Sequence, residues 1–285
     1  NASNFEYINA SVSEIVSNST NNYVKTSSGN FNSKFIFSSL PNNEKINFNR
    51  YPLLNQSFIG WTIETEENVF DEKTMTLMDF DRDQKDETRF IYVLPFSSKQ
   101  ALIEYTLFSE KRISDQDYEK GIKEYLQEKG IVKYSIIEKE KGNIPMTCFP
   151  FEKSNTNQLI YIGTAGGWTK PSTGYTIKNA IGKTKEIVSL IKTNKSLEHF
   201  NKRNRFWYYD LILLDVLKST KGNGYKAFSY MFKRNDPIKI LKFLDEKTSF
   251  FEEVPILLSV NKVPFIKALL NRLAKIIDRI IMKRD

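Results

Sequence analysis

The sequence predicts a mixed fold, α+β or α/β, with strands in the first half of the chain and helices in the second. Between residues 51 and 110, β-branched and aromatic runs alternate with charged or proline-containing turns, which is typical of strands. From residue 201 onward the pattern is helical and aromatic. With 40% hydrophobic and 27% charged residues, the 285-residue chain has enough apolar side chains for one large domain or two smaller ones.

The predicted strands begin with residues 1–50, where short β-like runs and Asn, Ser and Gly turn signals indicate a small meander. Four stronger patterns, SFIGWTIETE, TMTLMDF, RFIYVLPF and ALIEYTLFS, predict an antiparallel sheet with one face solvated or lining a cavity. A helix is expected over DQDYEKGIKEYLQEKG, with Ser114 or Asp115 as N-cap and Gly130 as its stop. A short strand pair is expected around VKYSIIEKE and NIPMTCFPF.

Cysteine and histidine are too scarce for several classes of site. The single cysteine, Cys148, excludes an internal disulfide framework and a CxxC pair, and the single histidine, His199, excludes an HExxH metal site. No metal site is expected, and His199 is interpreted as part of an exposed helix end. Carboxylates and a cofactor must therefore carry any acid–base chemistry.

The charge balance limits the partners. Forty-two Lys and Arg against 34 Asp and Glu give a net charge of +8, which fits nucleic acid, an anionic membrane surface or an acidic ligand. Nucleic acid is disfavoured, because the positive charge is dispersed outside the C-terminal tail and no helix-turn-helix, RRM or zinc-finger pattern occurs. No bilayer-spanning stretch and no signal peptide are visible, so we expect a cytoplasmic protein whose N-terminal part is missing.

Glu104 is the main candidate for acid–base chemistry. Period-2 alternation places Leu102, Glu104, Thr106 and Phe108 on one face of a strand. A carboxyl group among apolar neighbours is desolvated, so its pKa rises and it holds a proton to donate near neutral pH. The alternative is an edge-strand charge in solvent. Three further carboxylates have the same two interpretations: Glu64, Asp79 and Glu140.

The segment GTAGGWTKPSTGY, residues 163–175, lies between an apolar strand and a helix. Its glycines allow the backbone to approach a ligand, and Ser172 or Thr173 is expected to cap a helix whose N-terminus suits a phosphate or a flavin edge. The alternative is a tight turn that needs glycine only for positive φ. No GxGxxG motif occurs, so a complete dinucleotide site is not encoded. The helix is expected to bury one stripe: Ile177, Ile181, Thr184, Val188 and Ile191.

A basic amphipathic helix is predicted from Val263 to the C-terminus. Lys and Arg flank its apolar stripe, and residues 262–285 contain seven basic and two acidic side chains. Such a helix either lies in an anionic bilayer interface or packs on the core with a basic solvated face, and the upstream run FWYYDLILL favours the membrane. The stripe consists of Phe265, Ile266, Leu269, Leu270, Leu273, Ile276, Ile277, Ile280 and Ile281.

Several motifs together resemble one family. QSFIGWTIE, LMDF, YVLPF, LIEYT, IPM and GTAGGWTKPSTGY occur in the order and rough spacing found in the carotenoid lycopene cyclases of the bacterial and plant type. The resemblance covers about residues 1–235. It implies the remnant of a glutathione-reductase-like FAD-binding fold, with an antiparallel substrate-binding sheet and a helical C-terminal part. The N-terminal βαβ unit with GxGxxG, which such a fold carries, is absent from this sequence.

The resemblance also implies a domain organisation. Residues 1–50 would be a β-meander and return strand of the FAD-binding domain, and residues 51–150 the substrate-binding sheet. Residues 151–195 would be an FAD-contacting loop and helix, and residues 196–285 a helical, membrane-associating region. The implied flavin contacts are Gly163, Ala165, Gly166, Pro171, Thr173, Gly174 and Tyr175.

The implied activity is that of a lycopene β-cyclase. An end double bond of lycopene or a related acyclic carotene is protonated, a carbocation closes the ring, and a proton is lost. Reduced FAD, supplied with electrons by NAD(P)H, assists without net redox change. Glu104 is implied to be the proton donor or its immediate partner, because the family's essential acidic residue lies in this strand, and Glu64 and Asp79 match family positions too. Since the substrate resides in membranes, peripheral attachment to the inner membrane is expected.

Two alternatives remain open. One is a related FAD-dependent oxidoreductase, such as a monooxygenase or a prenyl-lipid reductase, which would consume NAD(P)H in proportion to product. The other is a carotenoid- or lipid-binding protein without catalytic activity.

Overall fold

The computed structural model of the protein describes residues 4–18, 20–41, 48–198, 200 and 203–281. The chain forms two compact units from interleaved segments. The first unit consists of Asn1–Asn47, Phe149–Lys170 and Tyr175–Arg203, and the second of Phe48–Cys148, Pro171–Gly174 and Asn204–Asp285. The first unit therefore joins the N-terminal strands to most of the glycine-rich loop, and the second joins the central strands to the C-terminal helices.

The described elements confirm a mixed α and β fold. The strands are β1 (Val12–Ser17), β2 (Asn22–Thr26), β3 (Gly29–Asn32), β4 (Ile36–Ser38), β5 (Leu53–Thr65), β6 (Thr76–Asp79), β7 (Thr88–Pro95), β8 (Gln100–Ser109), β9 (Tyr134–Thr147) and β10 (Leu159–Tyr161). The helices are α1 (Asp115–Glu128), α2 (Ile177–Lys192), α3 (Arg205–Ser219), α4 (Tyr225–Arg234), α5 (Pro237–Leu244), α6 (Phe250–Ser259) and α7 (Lys262–Ile281).

The first unit contains the predicted meander. Strands β1, β2 and β3 pair in antiparallel order, and β4 pairs in parallel with β10. The Ile162 N–H extends this pair by donating to the Ser38 carbonyl at 2.9 Å. Ile36, Leu159 and Tyr161 are buried at the strand pair and form a small apolar core.

The buried stripe predicted for α2 is wrong. Ile177, Ile181 and Val188 are 77%, 54% and 44% exposed. The helix packs instead through Ile187, which is 5% exposed and joins a cluster with Trp168. The cluster also contains Ile160, Leu197 and Phe200, with Ala180, Leu190 and Ile191 packed against it. Segments distant in sequence set the packing face, so the periodicity of the helix alone did not identify it.

The second unit contains the predicted antiparallel sheet, with strand order β6-β7-β8-β5-β9. The predicted pair of short strands is wrong, because residues 134–147 form one long strand, β9, along the whole of β5. Gly142 does not turn the chain. It lies under the Phe58 ring, where a Cβ atom would be only 2.3 Å from Phe58 Cζ.

Helix α1 covers one face of this sheet. It begins where predicted, since the Ser114 hydroxyl accepts a hydrogen bond from the Asp117 N–H at 3.2 Å. It ends at Glu128, and Gly130 follows with φ of +73°, as expected for a glycine stop. Tyr118, Ile122, Tyr125 and Leu126 pack against Ile59, Trp61, Ile63, Ile103 and Leu107. We call this side of the sheet the covered face.

Helices α3 to α6 close part of the opposite face, around Leu54 and Phe108. The Glu253 carboxylate joins α6 to α3, because it is fully buried and accepts from Arg205 Nη2 at 2.7 Å and from the Tyr209 hydroxyl at 2.9 Å. These bonds lower the pKa of Glu253 against the opposing effect of burial.

Helix α7 attaches to α3 through Arg272, whose Nε donates to Asp215 Oδ2 at 2.5 Å. In its predicted apolar stripe Phe265 is half-buried, and six residues are exposed: Ile266 54%, Leu269 48%, Leu270 59%, Leu273 46%, Ile276 51% and Ile277 55%. The side chains of residues 279–285, including Ile280 and Ile281 of the predicted stripe, lie outside the described part. Within the described residues, no helix combines the length and apolarity needed to cross a membrane.

Candidate functional site

The candidate site lies on the sheet face opposite α1. A single row of residues crosses four neighbouring strands there: Tyr92 pairs with Glu104, Glu104 with Gly60, and Gly60 with Glu140. Because partners in register point to the same side of a sheet, all four residues share this face. We call it the Glu104 face. Helices α3 to α6 cover the part of it around Leu54 and Phe108, and Tyr92 packs against the same cluster.

Glu104 is in the environment that the strand pattern predicts. β8 is an interior strand, so the alternative of an edge-strand charge is wrong. The side chain is half-buried, and Thr106 Oγ1 donates to Glu104 Oε1 at 2.5 Å. Burial raises the pKa of Glu104 to about 7; the charge of Glu140 acts in the same direction, and the Thr106 hydrogen bond opposes it. The carboxyl group is thus partly protonated near neutral pH.

Glu64 is on the same face as Glu104 but far from it. It pairs with Gln100 at the end of β5 and is exposed. Four residues of strand separate Gln100 from Glu104, which is roughly 13 Å at the rise of an extended chain.

Asp79 lies on the covered face. Its carboxylate is 3.5 Å from Lys129 Nζ and its charge acts on Tyr125 of α1. The β6–β7 pairing shifts register between Thr76 and Asp79, which a prediction from alternation could not include. The structure therefore brings neither Glu64 nor Asp79 beside Glu104.

In the first unit, the glycine-rich loop contains both open and packed glycines. Gly163 has φ of +58°, and a Cβ atom there would meet nothing within 4 Å. Gly166 is packed, because a Cβ atom would lie 2.0 Å from the Tyr161 carbonyl oxygen. Ala165 is buried and Tyr175 is 40% exposed. Gly163 thus offers accessible backbone, while Gly166 serves the tight turn.

The prediction that Ser172 or Thr173 caps α2 is wrong. The helix begins at Ile177, and its N-cap residue, Thr176, makes no side-chain capping bond. The Lys170 N–H donates to the Tyr175 carbonyl at 2.9 Å, which closes the intervening residues into a loop ahead of the helix.

In the second unit, the segment Pro171–Gly174 places buried polar atoms beside β5. Ser172 is 1% exposed and Thr173 8% exposed, whereas Pro171 is half-buried. Gly174 has φ of +75°, and a Cβ atom there would lie 2.4 Å from Gln56 Oε1. Gln56 Oε1 and Ser172 Oγ are buried without a hydrogen-bond partner among the described residues. Buried polar atoms in native proteins are normally paired, so these two fit a polar ligand.

Sequence reasoning missed Gln56 and the closeness of Gly60 to Glu140, because neither has a signal before the strand register is known. The described residues contain no group of three or more His, Cys, Asp or Glu side chains that could hold a metal ion. His199, expected at an exposed helix end, lies outside the described residues.

The fold is similar to that of a solved flavin-dependent brominase, with a TM-score of 0.55, 11% identity, and coverage of 95% of this chain and 72% of that one. This likeness shows the fold alone. The family model described as lycopene cyclase protein matches residues 2–270. The chain therefore belongs to the lycopene cyclase family, as the motifs predicted.

Two curated relatives support the family. Lycopene beta-cyclase of Pantoea ananas is 27% identical over 150 residues, which are 50% of this chain and 38% of that protein. Lycopene beta-cyclase of Paracoccus sp. (strain N81106 / MBIC 01143) is 30% identical over 130 residues, which are 44% of this chain and 33% of that protein. The matched part of the chain thus spans 38% of the first relative and 33% of the second.

Proposed function

We propose that this chain carries the substrate-binding sheet and the proton donor of a lycopene β-cyclase, an isomerase of carotenoid biosynthesis. One observation carries the proposal. Glu104 is a half-buried carboxyl group with a pKa of about 7 on the sheet face that α1 leaves open. The curated relatives of the chain are named for lycopene cyclisation.

The proposed reaction begins with Glu104. Its carboxyl O–H donates a proton to an end double bond of lycopene or a related acyclic carotene, whose π electrons form the new C–H bond and leave a carbocation. A second double bond attacks the cation and closes the ring, and loss of a proton from the ring restores a double bond. One proton enters and one leaves, so no net redox change occurs. A donor pKa near the working pH suits general acid catalysis.

The surroundings of Glu104 support this role. Leu102 and Phe108 lie on the same face of β8, and Phe90 and Leu94 on the same face of β7. Leu94 and Leu102 match a hydrocarbon substrate, whereas Phe90 and Phe108 belong to the core below it. Apolar surroundings exclude water, which would otherwise react with the carbocation. The Thr106 hydroxyl orients the carboxyl group by its hydrogen bond to Oε1.

FAD is the proposed cofactor. When bound in its reduced form, FAD supplies negative charge that stabilises developing positive charge, and NAD(P)H is the proposed electron source. The residues proposed to hold it are the seven predicted from the resemblance, Gly163, Ala165, Gly166, Pro171, Thr173, Gly174 and Tyr175. The open backbone at Gly163 supports this proposal.

The pigment products test the activity. The full reading frame that contains this chain is expressed in bacteria that accumulate lycopene, with an empty vector as control. New γ-carotene or β-carotene supports the cyclase. Unchanged lycopene with folded, flavin-loaded protein overturns it. Product that appears in proportion to consumed NAD(P)H supports the alternative oxidoreductase instead, and carotenoid binding without turnover supports the binding protein.

Peripheral attachment to the cytoplasmic membrane is proposed through α7. Leu270 and Ile277 are more than half exposed, and Lys262, Lys267 and Lys275 flank the stripe. Each basic residue near an anionic bilayer contributes about 1 kcal/mol. We expect the protein to float with phosphatidylglycerol-containing vesicles, and Leu270→Asn with Ile277→Asn to lose this binding. Asn271→Ser, on the polar side of the helix, is the matched control and should bind like the wild type.

A further inference from the structure

We infer that Glu140 acts through Glu104 as a positioning residue: its carboxylate, laid across Gly60, holds the catalytic proton on Glu104 between turnovers. The inference rests on the proposed function only in calling that proton catalytic. The interaction between the two carboxyl groups is a property of the second unit by itself.

Strand register brings Glu104 and Glu140 to the same position of β5. Glu104 on β8 and Glu140 on β9 both pair with Gly60 on the intervening strand β5. Two strand spacings of about 4.8 Å separate their backbones, so side chains on the same face must lean over β5 to interact. Glu140 does so, because its Oε1 and Cγ atoms are both 3.0 Å from the place a Cβ atom would take at residue 60.

Glycine at position 60 leaves the space into which the Glu140 side chain leans. Leu102 Cδ1 approaches the same place from the β8 side, at 2.9 Å, so the site of the missing side chain is filled from both neighbouring strands. Any larger residue would push back the Glu140 carboxylate or the Leu102 side chain. The glycine has no positive φ, and its role here is therefore one of space.

The charges around Glu104 favour the protonated form. The neighbouring positions on this face are Leu102, Thr106, Phe58, Thr62, Tyr92, Phe90, Leu94, Glu138, Glu140 and Gly142, and no basic residue is among them. On α3, which contacts β5 and β9, the acidic groups are Asp210 and Asp215, and Asp215 is paired with Arg272. The charge that acts on Glu104 is that of Glu140, and like charge favours the neutral acid.

A second carboxylate has a clear use in the proposed reaction. Each turnover removes the Glu104 proton, and the acid must be protonated again before the next substrate end reacts. The charge of Glu140 raises the pKa of the donor. Glu140 itself is exposed, so that water can reach its carboxylate.

The test measures the Glu104 carboxyl group directly. Carbon-13 NMR of glutamate-labelled protein gives its titration curve, and Glu104→Gln assigns the signal. We expect Glu140→Gln to lower the pKa of Glu104 by about half a pH unit, as for like charges in a largely solvated setting. Glu138→Gln removes an equal charge from the same face of β9 and is the matched control. Gly60→Ala should also lower the pKa, since it displaces the Glu140 carboxylate while retaining its charge.

An unchanged titration in Glu140→Gln, or an equal change in Glu138→Gln, overturns the inference. Circular dichroism confirms that each variant is folded. In the cyclase assay, Glu140→Gln should shift the alkaline limb of the pH profile to lower pH. We expect about a threefold loss of rate above the pKa of Glu104 and little loss at low pH. If the wild type forms no cyclic carotene, the proposed function fails, while the titration still decides the role of Glu140.

Discussion

The two faces of the central sheet come from the same strands and differ in what surrounds them. On the covered face, Ile103 and Leu107 are fully buried under α1, and the Ser57 hydroxyl is paired with the Tyr118 hydroxyl at 2.6 Å. On the Glu104 face, Glu140 is exposed and Leu94 is 41% exposed. Alternation thus lets one strand contribute stability with every second residue and leave the others available for a ligand.

The largest expected effect is on the Glu104 face. Glu104→Gln keeps the shape of the side chain and the Thr106 contact but cannot supply the carboxyl proton, so we expect a loss of cyclisation of about 10²–10⁴-fold. Carotenoid binding should persist. Glu64→Gln, on the same face at the end of β5, is the control and should retain activity. Equal activity in Glu104→Gln and the wild type would reject Glu104 as the donor.

Substitutions on the covered face should lower the stability of the protein rather than its activity. Ile103→Ala removes a fully buried side chain next to α1, and we expect it to lower the free energy of unfolding by about 2–5 kcal/mol. Denaturant unfolding followed by circular dichroism measures this loss. Below the unfolding transition the folded protein should retain most of its activity per molecule. A large loss of activity without a loss of stability would show that the faces are not separable.

The pH dependence of stability should distinguish Glu104 from its neighbours. Its pKa is raised from 4.5 to about 7 in the folded protein, so the folded state holds the proton more tightly than the unfolded chain. The contribution of Glu104 to stability is therefore fully present below pH 4.5 and is lost as the pH rises through about 7, a change of about 2–3 kcal/mol. Glu104→Gln should remove this fall. Melting temperatures of the two proteins at pH 5 and pH 8 give the comparison, and parallel losses would contradict it.

The smallest effect is expected for Asp79 on the covered face. Its ion pair with Lys129 is partly exposed, so Asp79→Asn should cost less than about 1 kcal/mol of stability. Because the sheet separates it from Glu104, cyclisation should remain near the wild-type rate. A loss comparable to that of Glu104→Gln would place Asp79 in the catalytic machinery despite its position.

Local patterns were sufficient for much of the fold. The alternation around Glu104 correctly separated the two faces of β8, and the cap at Ser114 and the stop at Gly130 bounded α1. These features depend on neighbours within a few residues, which a sequence displays directly. The motifs also indicated the lycopene cyclase family, which the family match confirms.

Other predictions failed where contacts with other segments of the chain decide how an element packs or how far it extends. The exposed Ile177 and Ile181 show that α2 packs on a face chosen by residues such as Trp168 and Phe200. The continuity of β9 depends on its partner β5. The sequence predicted no face for Asp79, which an irregular strand pairing places on the covered face.

The sequence by itself determined which residue types share a strand face, where α1 begins and ends, and which family the chain resembles, because these depend on order and spacing along the chain. The tertiary structure alone decided that Glu104 lies on an interior strand, that Gly60 brings Glu140 towards it, and that Gln56 approaches Gly174. The physical reason is that burial and charge interactions depend on distances in space, and strand pairing joins residues as far apart in sequence as Ile36 and Leu159.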